Sequence, residues 1–211
     1  MKKTVKKLKF HLSDRAFLFS LIVGILFLAI SLVLNYYAGT YATREASNAV
    51  TDIILDNLPV VNVDFIFVEG AIILWIFSFL VAIREPKSIP FALKSIALFI
   101  FIRSIFVSLT HIGPFPDHIY LESNRVFDKI NFGADLFFSG HTGFPFLFAL
   151  IFWENKWLRV IFIGASFFFA ASVLLGHLHY SIDVFSAFFI TFGIFHLAKY
   201  FFKKDYDMFK S

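Results

Sequence analysis

The sequence predicts an all-α integral membrane protein, a six-transmembrane-helix bundle with its N- and C-termini cytoplasmic. Three observations carry this. Of the 211 residues 59% are hydrophobic and 20% aromatic, including 33 Phe, far more apolar surface than a soluble domain of this size can bury. Several apolar runs reach about 20 residues, enough to cross ~30 Å of hydrocarbon. Finally, Lys and Arg gather at alternate junctions between those runs, as cytoplasmic loops do.

Taken in order, residues 1–15 form a basic tail with Lys2, Lys3, Lys6, Lys7, Lys9 and Arg15, expected in the cytoplasm. The first span, about 16–38, is longer than the apolar core of a signal peptide and is followed by further spans, so it is expected to be retained. A polar connection over 39–63 holds Thr51–Asp56, a candidate interfacial helix. The second span runs over 64–83 and breaks at Arg84-Glu85-Pro86-Lys87, and the third covers 91–112. Gly113-Pro114-Phe115-Pro116-Asp117-His118 dictates a turn. Spans four (134–153), five (158–177) and six (180–201) follow, and residues 202–211 form a second basic tail. With the N-terminus inside, Arg84, Lys87, Lys94, Lys156, Arg159, Lys199, Lys203, Lys204 and Lys210 join the tail residues there. That places fifteen of the 19 Lys/Arg on the inner side. Only Arg44, Arg125 and Lys129 fall outside, while Arg103 lies within a span. The +4 net charge is therefore a topology signal and not a nucleic-acid footprint. No cysteine is present, which excludes disulfides and thiolate metal sites.

This topology brings two histidine-bearing stretches to one outer level. The first is Gly176-His177-Leu178-His179-Tyr180-Ser181-Ile182-Asp183, at the junction of spans five and six. On a helix His179 and Asp183 share a face, so the carboxylate can fix the imidazole tautomer and free the other nitrogen. The second is Asp135-Leu136-Phe137-Phe138-Ser139-Gly140-His141, about 10 Å into span four at His141. Two histidines, one backed by an aspartate, suit phosphoryl transfer without a metal: His179 attacks phosphorus, and His141 protonates the leaving oxygen. Ser139 and Gly140 offer a hydroxyl and closely approachable backbone N–H groups for phosphate oxygens. Pro145 removes the donor to the His141 carbonyl, so a kink or opening is expected there. Arg103, expensive in mid-span, should face the interior as a phosphate clamp, although by residue count it lies deeper than His141. Asp135 is a candidate substrate contact. Glu69, His111, Asp117, His118 and Glu122 lie within possible reach of the site, with no role assigned.

Other readings of the same residues stand beside this one. His141 alone, or His179 with Asp183 alone, could be an interhelical packing clasp. His177, His179, His141 and Asp183 could hold zinc, but the i,i+2 histidines point to different faces and no HExxH-like spacing exists.

Asp135–Thr142 and His179–Val184 resemble the sphingomyelin synthase branch of the type 2 phosphatidic acid phosphatase (PAP2) superfamily. Leu58-Pro59, and Arg103-Ser104 through Pro114-Phe115-Pro116, resemble that branch more weakly. The resemblance covers roughly residues 57–195. It implies a six-span bundle with an outward-facing site, a phosphohistidine intermediate on His179, Asp183 as its partner and His141 as acid/base. The chain departs from the wider superfamily in two places. Arg103 is followed by Ser104 and not by proline, and Val173 stands where an arginine precedes the nucleophile by six residues. Both departures point towards the synthase branch, and both leave more of the phosphate binding to Arg103 and backbone donors.

The expectation is an enzyme that needs no metal or other cofactor and whose partners are lipids. A phospho-headgroup passes from a phospholipid donor to a lipid alcohol, the sphingomyelin-synthase-like reading, or to water, the lipid phosphatase reading. A non-enzymatic carrier or structural subunit is the rival. The site is expected on the extracytoplasmic side of a membrane, a bacterial inner membrane suiting the short loops best.

Overall fold

The computed structural model describes residues 10–119 and 135–211, and among these all regular structure is helical. Helix α1 (Arg15–Arg44) is N-capped by Asp14, whose carboxylate accepts the Ala16 N–H. A π-helical turn, Ile66–Gly70, leads into α2 (Ala71–Arg84), and a 3-10 turn, Pro86–Ser88, leads into α3 (Ile89–Leu109). Then come α4 (Gly140–Ile151), α5 (Lys156–Leu175), α6 (Ser181–Phe201) and a terminal helix, α7 (Lys203–Lys210).

Five helical stretches, Arg15–Arg44, Ile66–Arg84, Pro86–Leu109, Lys156–Leu175 and Ser181–Phe201, are long and apolar enough to cross a membrane. Large apolar side chains such as Phe19, Leu26, Ile30, Phe79, Phe167 and Phe189 point outward along them. Water would not tolerate so continuous an apolar surface, whereas a bilayer covers it. The protein is an integral membrane protein.

The fourth expected span is where the structure departs most from the sequence reading. Instead of 134–153, α4 covers twelve residues, ~18 Å at 1.5 Å per residue, which is less than the hydrocarbon thickness. Asp135–Ser139 is not helical. The Ser139 Oγ accepts the Thr142 N–H, so the serine caps the helix and fixes its start there. Pro145 does not open the helix, which continues from Gly140 to Ile151. The irregular backbone expected at Pro145 lies instead before the cap. The 202–211 segment also differs, forming α7 where a plain tail was expected, and the Thr51–Asp56 stretch contributes only a 3-10 turn, Leu55–Asn57.

Small residues decide how these helices meet. The buried face of α1 carries Ser20, Gly24, Ser31, Ala38, Gly39 and Ala42, and α1 packs along α3 through it. At the centre, Gly143 lets α4 pass between α3 and α6. A Cβ there would sit 2.7 Å from the Phe99 ring and 2.8 Å from the Thr191 hydroxyl. Around this crossing Phe99, Phe138, Leu147, Phe148, Phe162, Phe169 and Ala187 form the main core. At the far end, Lys94 of α3 is buried and donates to Asp205 of α7 at 2.6 Å and to Ser20 of α1 at 2.7 Å, while Ser20 donates to Asp205. Lys94, expected as an inner-side charge near the start of span three, is thus a structural tie among three helices.

Candidate active site at two helix starts

The α5–α6 turn builds one half of the site. Gly176 ends α5, and His177, expected at the end of span five, follows it with a left-handed φ of 53°. His179 lies outside the helix, because Tyr180 is the N-cap and α6 begins at Ser181. The expected i,i+4 helical face is therefore replaced by a cap geometry. Asp183, in the first turn, turns back so that its Oδ2 accepts the Tyr180 N–H at 2.9 Å and lies 3.6 Å from His179 Nδ1. The carboxylate is 1% exposed and His179 6%, so the pair is shielded from solvent.

The start of α4 builds the other half, and one backbone hydrogen bond joins them. The Ser139 N–H donates to the Asp183 carbonyl at 3.0 Å, which seats the Ser139-Gly140-His141 turn against the first turn of α6. Ser139 and Thr142 are fully buried, and the Thr142 hydroxyl donates to Ser139 Oγ at 3.2 Å. His141 is only the second residue of α4. Its ring stacks on Phe67 with centroids 3.9 Å apart, and its Nε2 lies 3.1 Å from the Phe67 carbonyl. A carbonyl only accepts, so Nε2 carries the proton and Nδ1 is the nitrogen left to exchange one. Phe67 belongs to the π-helical turn, whose altered bonding leaves a carbonyl available to a side chain.

Arg103 sits level with this turn and not below it as residue counting implied, because the non-helical Asp135–Ser139 segment brings the start of α4 down to it. Its Nε donates to the Phe138 carbonyl at 2.8 Å, and its terminal nitrogens donate to the Asp135 carboxylate at 3.0 Å and the Asp135 carbonyl at 2.5 Å. A Cβ on Gly140 would lie 3.6 Å from Arg103 Nε, so the guanidinium borders the turn that holds His141.

Seven expected residues thus gather around the two helix starts: Arg103, Asp135, Ser139, Gly140, His141, His179 and Asp183. His177 is buried one turn away, edge-on to Phe115 at 5.0 Å. Other candidates are engaged elsewhere. His111 bonds the Ser108 carbonyl, His118 bonds the Phe115 carbonyl, Glu69 is exposed on the π turn and Asp117 is exposed. Glu122 lies outside the described residues, as do Arg125 and Lys129. Among the described residues no three potential ligands converge as a metal site.

Two parts of the site carry no motif. One is Phe67. The other is Asp52, which is buried and accepts the Ser181 N–H at 2.7 Å. Its signal was an Asx-turn pattern, an Asp two and three residues before Ile54 and Leu55, and nothing in that pattern named the distant Ser181.

Residues 133–200 match the family model described as PAP2 superfamily C-terminal. The match spans the non-helical segment, α4, α5 and nearly all of α6, and so includes His141, His179 and Asp183. Over these residues, about a third of the chain, the protein is similar to that superfamily's C-terminal domain. Comparison with curated proteins and with solved structures finds no match.

Proposed function

We propose that the protein is a membrane lipid phosphotransferase of the sphingomyelin-synthase-like kind, working through a phosphohistidine. The observation that carries this reading is the meeting of His179, backed by the Asp183 carboxylate, with the Ser139-Gly140-His141 turn through the Ser139-to-Asp183 bond. With Nδ1 protonated towards Asp183, His179 presents the Nε2 lone pair to phosphorus. The bond from phosphorus to the diacylglycerol oxygen of the donor breaks as the N–P bond forms, and His141, entering this step as the imidazolium with a proton on each ring nitrogen, delivers the Nδ1 proton to the departing oxygen. In the second half-reaction the hydroxyl of a lipid alcohol gives its proton to His141 and attacks the phosphohistidine, releasing His179. The Gly140 and His141 N–H groups, at the start of a helix, and the nearby Arg103 charge stabilise the phosphate oxygens.

The superfamily itself accommodates water or an alcohol as acceptor. The buried setting of His179, Asp183 and Ser139 favours transfer, since a dry second step protects the intermediate from hydrolysis. The site is read as facing the extracytoplasmic side, from the charge bias of the sequence. The deciding experiment is lipid mass spectrometry on the purified protein with a headgroup-labelled phospholipid, with and without ceramide. Label appearing on ceramide is expected. Free phospho-headgroup or phosphate whatever alcohol is added identifies a phosphatase, and no consumption of any phospholipid or lipid phosphate leaves the carrier reading.

A further inference from the structure

The connection between α1 and α2 does more than link two spans. Its Asp52 makes a two-sided bridge. One carboxylate oxygen accepts the N–H groups of Ile54 at 2.9 Å and Leu55 at 3.2 Å, closing the turn that opens Leu55–Asn57. The other reaches 129 residues along the chain to the N–H of Ser181 at 2.7 Å. Burial opposes the charge, but the bonds from Ser181, Leu55 and Ile54 outweigh it and hold the Asp52 carboxyl below the usual carboxylate range. The same connection grips the neighbouring residue. The Tyr180 hydroxyl donates to the Gly113 carbonyl at 2.8 Å and accepts the Val50 N–H at 3.2 Å. The turn itself is fastened beneath, with Leu55 1% exposed and packed in one cluster with Phe115, Leu136 and Tyr180.

We infer that Asp52 is a positioning residue for the histidine–aspartate pair, acting through the backbone at the start of α6. Ser181 lies two residues from His179 and two from Asp183, so the bond to its N–H fixes the stretch of chain on which both side chains are mounted. The margin it controls is small. Asp183 Oδ2 already accepts the Tyr180 N–H at 2.9 Å, and His179 Nδ1 stands 3.6 Å from the same oxygen, just beyond hydrogen-bonding range. A shift of a few tenths of an ångström in residues 179–180 decides whether that second bond forms when the imidazole takes up charge. Asp52 and Asp183 also occupy successive N–H groups of the helix start, Ser181 and Tyr180. Phosphate is thereby left to the start of α4 and not to that of α6.

This inference rests on the functional reading above, and its test has one arm that does not. Hydrogen–deuterium exchange on the full-length protein in lipid nanodiscs reads the amides of residues 180–184 in wild type, Asp52→Ala, Asp52→Asn and Tyr180→Phe. Faster exchange there is expected in Asp52→Ala, with partial recovery in Asp52→Asn, whose amide oxygen can keep one acceptor role. Unchanged exchange in Asp52→Ala overturns the inference. In the kinetic arm, with the labelled phospholipid and ceramide, Asp52→Ala should lower kcat about 10- to 100-fold while KM moves less than about threefold. A raised KM at unchanged kcat overturns positioning in favour of substrate contact, and wild-type kcat in a variant with loosened residues 180–184 overturns the link to catalysis. If Asp52→Ala does not fold, Asp52→Asn decides both arms, because its amide has one acceptor oxygen and can keep only one side of the bridge: exchange and kcat both at wild-type level there overturn the inference. Should wild type turn over no lipid phosphate, the functional reading falls and the exchange arm still judges the clamp.

Discussion

Helix α3 carries two buried cations, nine positions apart, that end in opposite situations. Lys94 is closed in on all sides by Asp205 and Ser20, in a cluster with no histidine. Arg103 is equally buried, yet it spends its donors on Asp135 and two backbone carbonyls of a non-helical segment that runs straight into the His141 turn. Next to Lys94 the polar atoms satisfy one another. In the α5–α6 turn, by contrast, His179 Nδ1 and both His177 nitrogens are buried without a hydrogen bond. Buried polar groups are ordinarily paired, and exceptions concentrate where chemistry is done. A buried ion pair therefore signals nothing by itself. What separates the two ends is whether the neighbouring polar groups are used up by the fold.

The comparison is broken most directly at the unpaired end. His179→Ala should lower lipid turnover by at least about 10³-fold and abolish acid-labile phosphate labelling of the protein. Normal turnover in that variant would end the phosphohistidine proposal and return the histidine cluster to the same structural class as the Lys94 cluster. Next in size is Arg103→Met. It removes both the charge beside Gly140 and the bonds that shape Asp135–Phe138, and should cost about 10- to 100-fold in kcat. Asp135→Asn keeps the segment's backbone bonds to Arg103, so it should cost less than Arg103→Met. An equal loss would show that the ion pair, and not the backbone bonds, organises the turn.

Much of this is legible in the amino-acid sequence. The apolar runs mark the helices because hydrocarbon thickness dictates length, and the histidines of Asp135–His141 and Gly176–Asp183 mark the candidate site because intramembrane imidazoles are rare. The length of α4 is not legible. Asp135-Leu136-Phe137-Phe138 is as apolar as a helix start, and only a tertiary partner, Arg103 bonding its carbonyls, explains why it stays irregular. Nor can hydropathy show that His179 precedes its helix, since a capping Asp183 and an i,i+4 partner Asp183 have the same spacing. Lys94 misleads for a related reason: a lysine near a span end looks solvated until Asp205, 111 residues later, is brought against it. Long-range pairing sets each of these, and single-sequence periodicity carries only local information.

At the satisfied end the expectation is a stability effect without a catalytic one. Asp205→Leu alone strands the Lys94 ammonium in an apolar setting and should destabilise by about 3–5 kcal/mol, read as a lowered unfolding midpoint in detergent. Lys94→Met combined with Asp205→Leu removes both charges and should recover most of that loss, with kcat per folded molecule unchanged. If the double variant instead loses activity while folded, the two ends of α3 are coupled, and the Lys94 cluster does more than tie α7 to α1 and α3.

The smallest expected effect probes how the π turn serves the site. Phe67 meets His141 twice, through its ring at 3.9 Å and through its carbonyl at 3.1 Å from Nε2. Phe67→Leu removes the stacking face and keeps the carbonyl, so the tautomer survives while the imidazole gains freedom about its χ angles. A stacked aromatic contact contributes about 0.5–1.5 kcal/mol, which corresponds to a loss of about 2- to 12-fold in kcat at unchanged KM. Nitrogen-15 chemical shifts of the His141 ring should still report protonated Nε2. A shift to protonated Nδ1 would mean that the ring, and not the carbonyl freed by the π turn, selects the tautomer. His141 would then offer its other nitrogen to the leaving oxygen, and the proton path drawn for both half-reactions would have to be reversed.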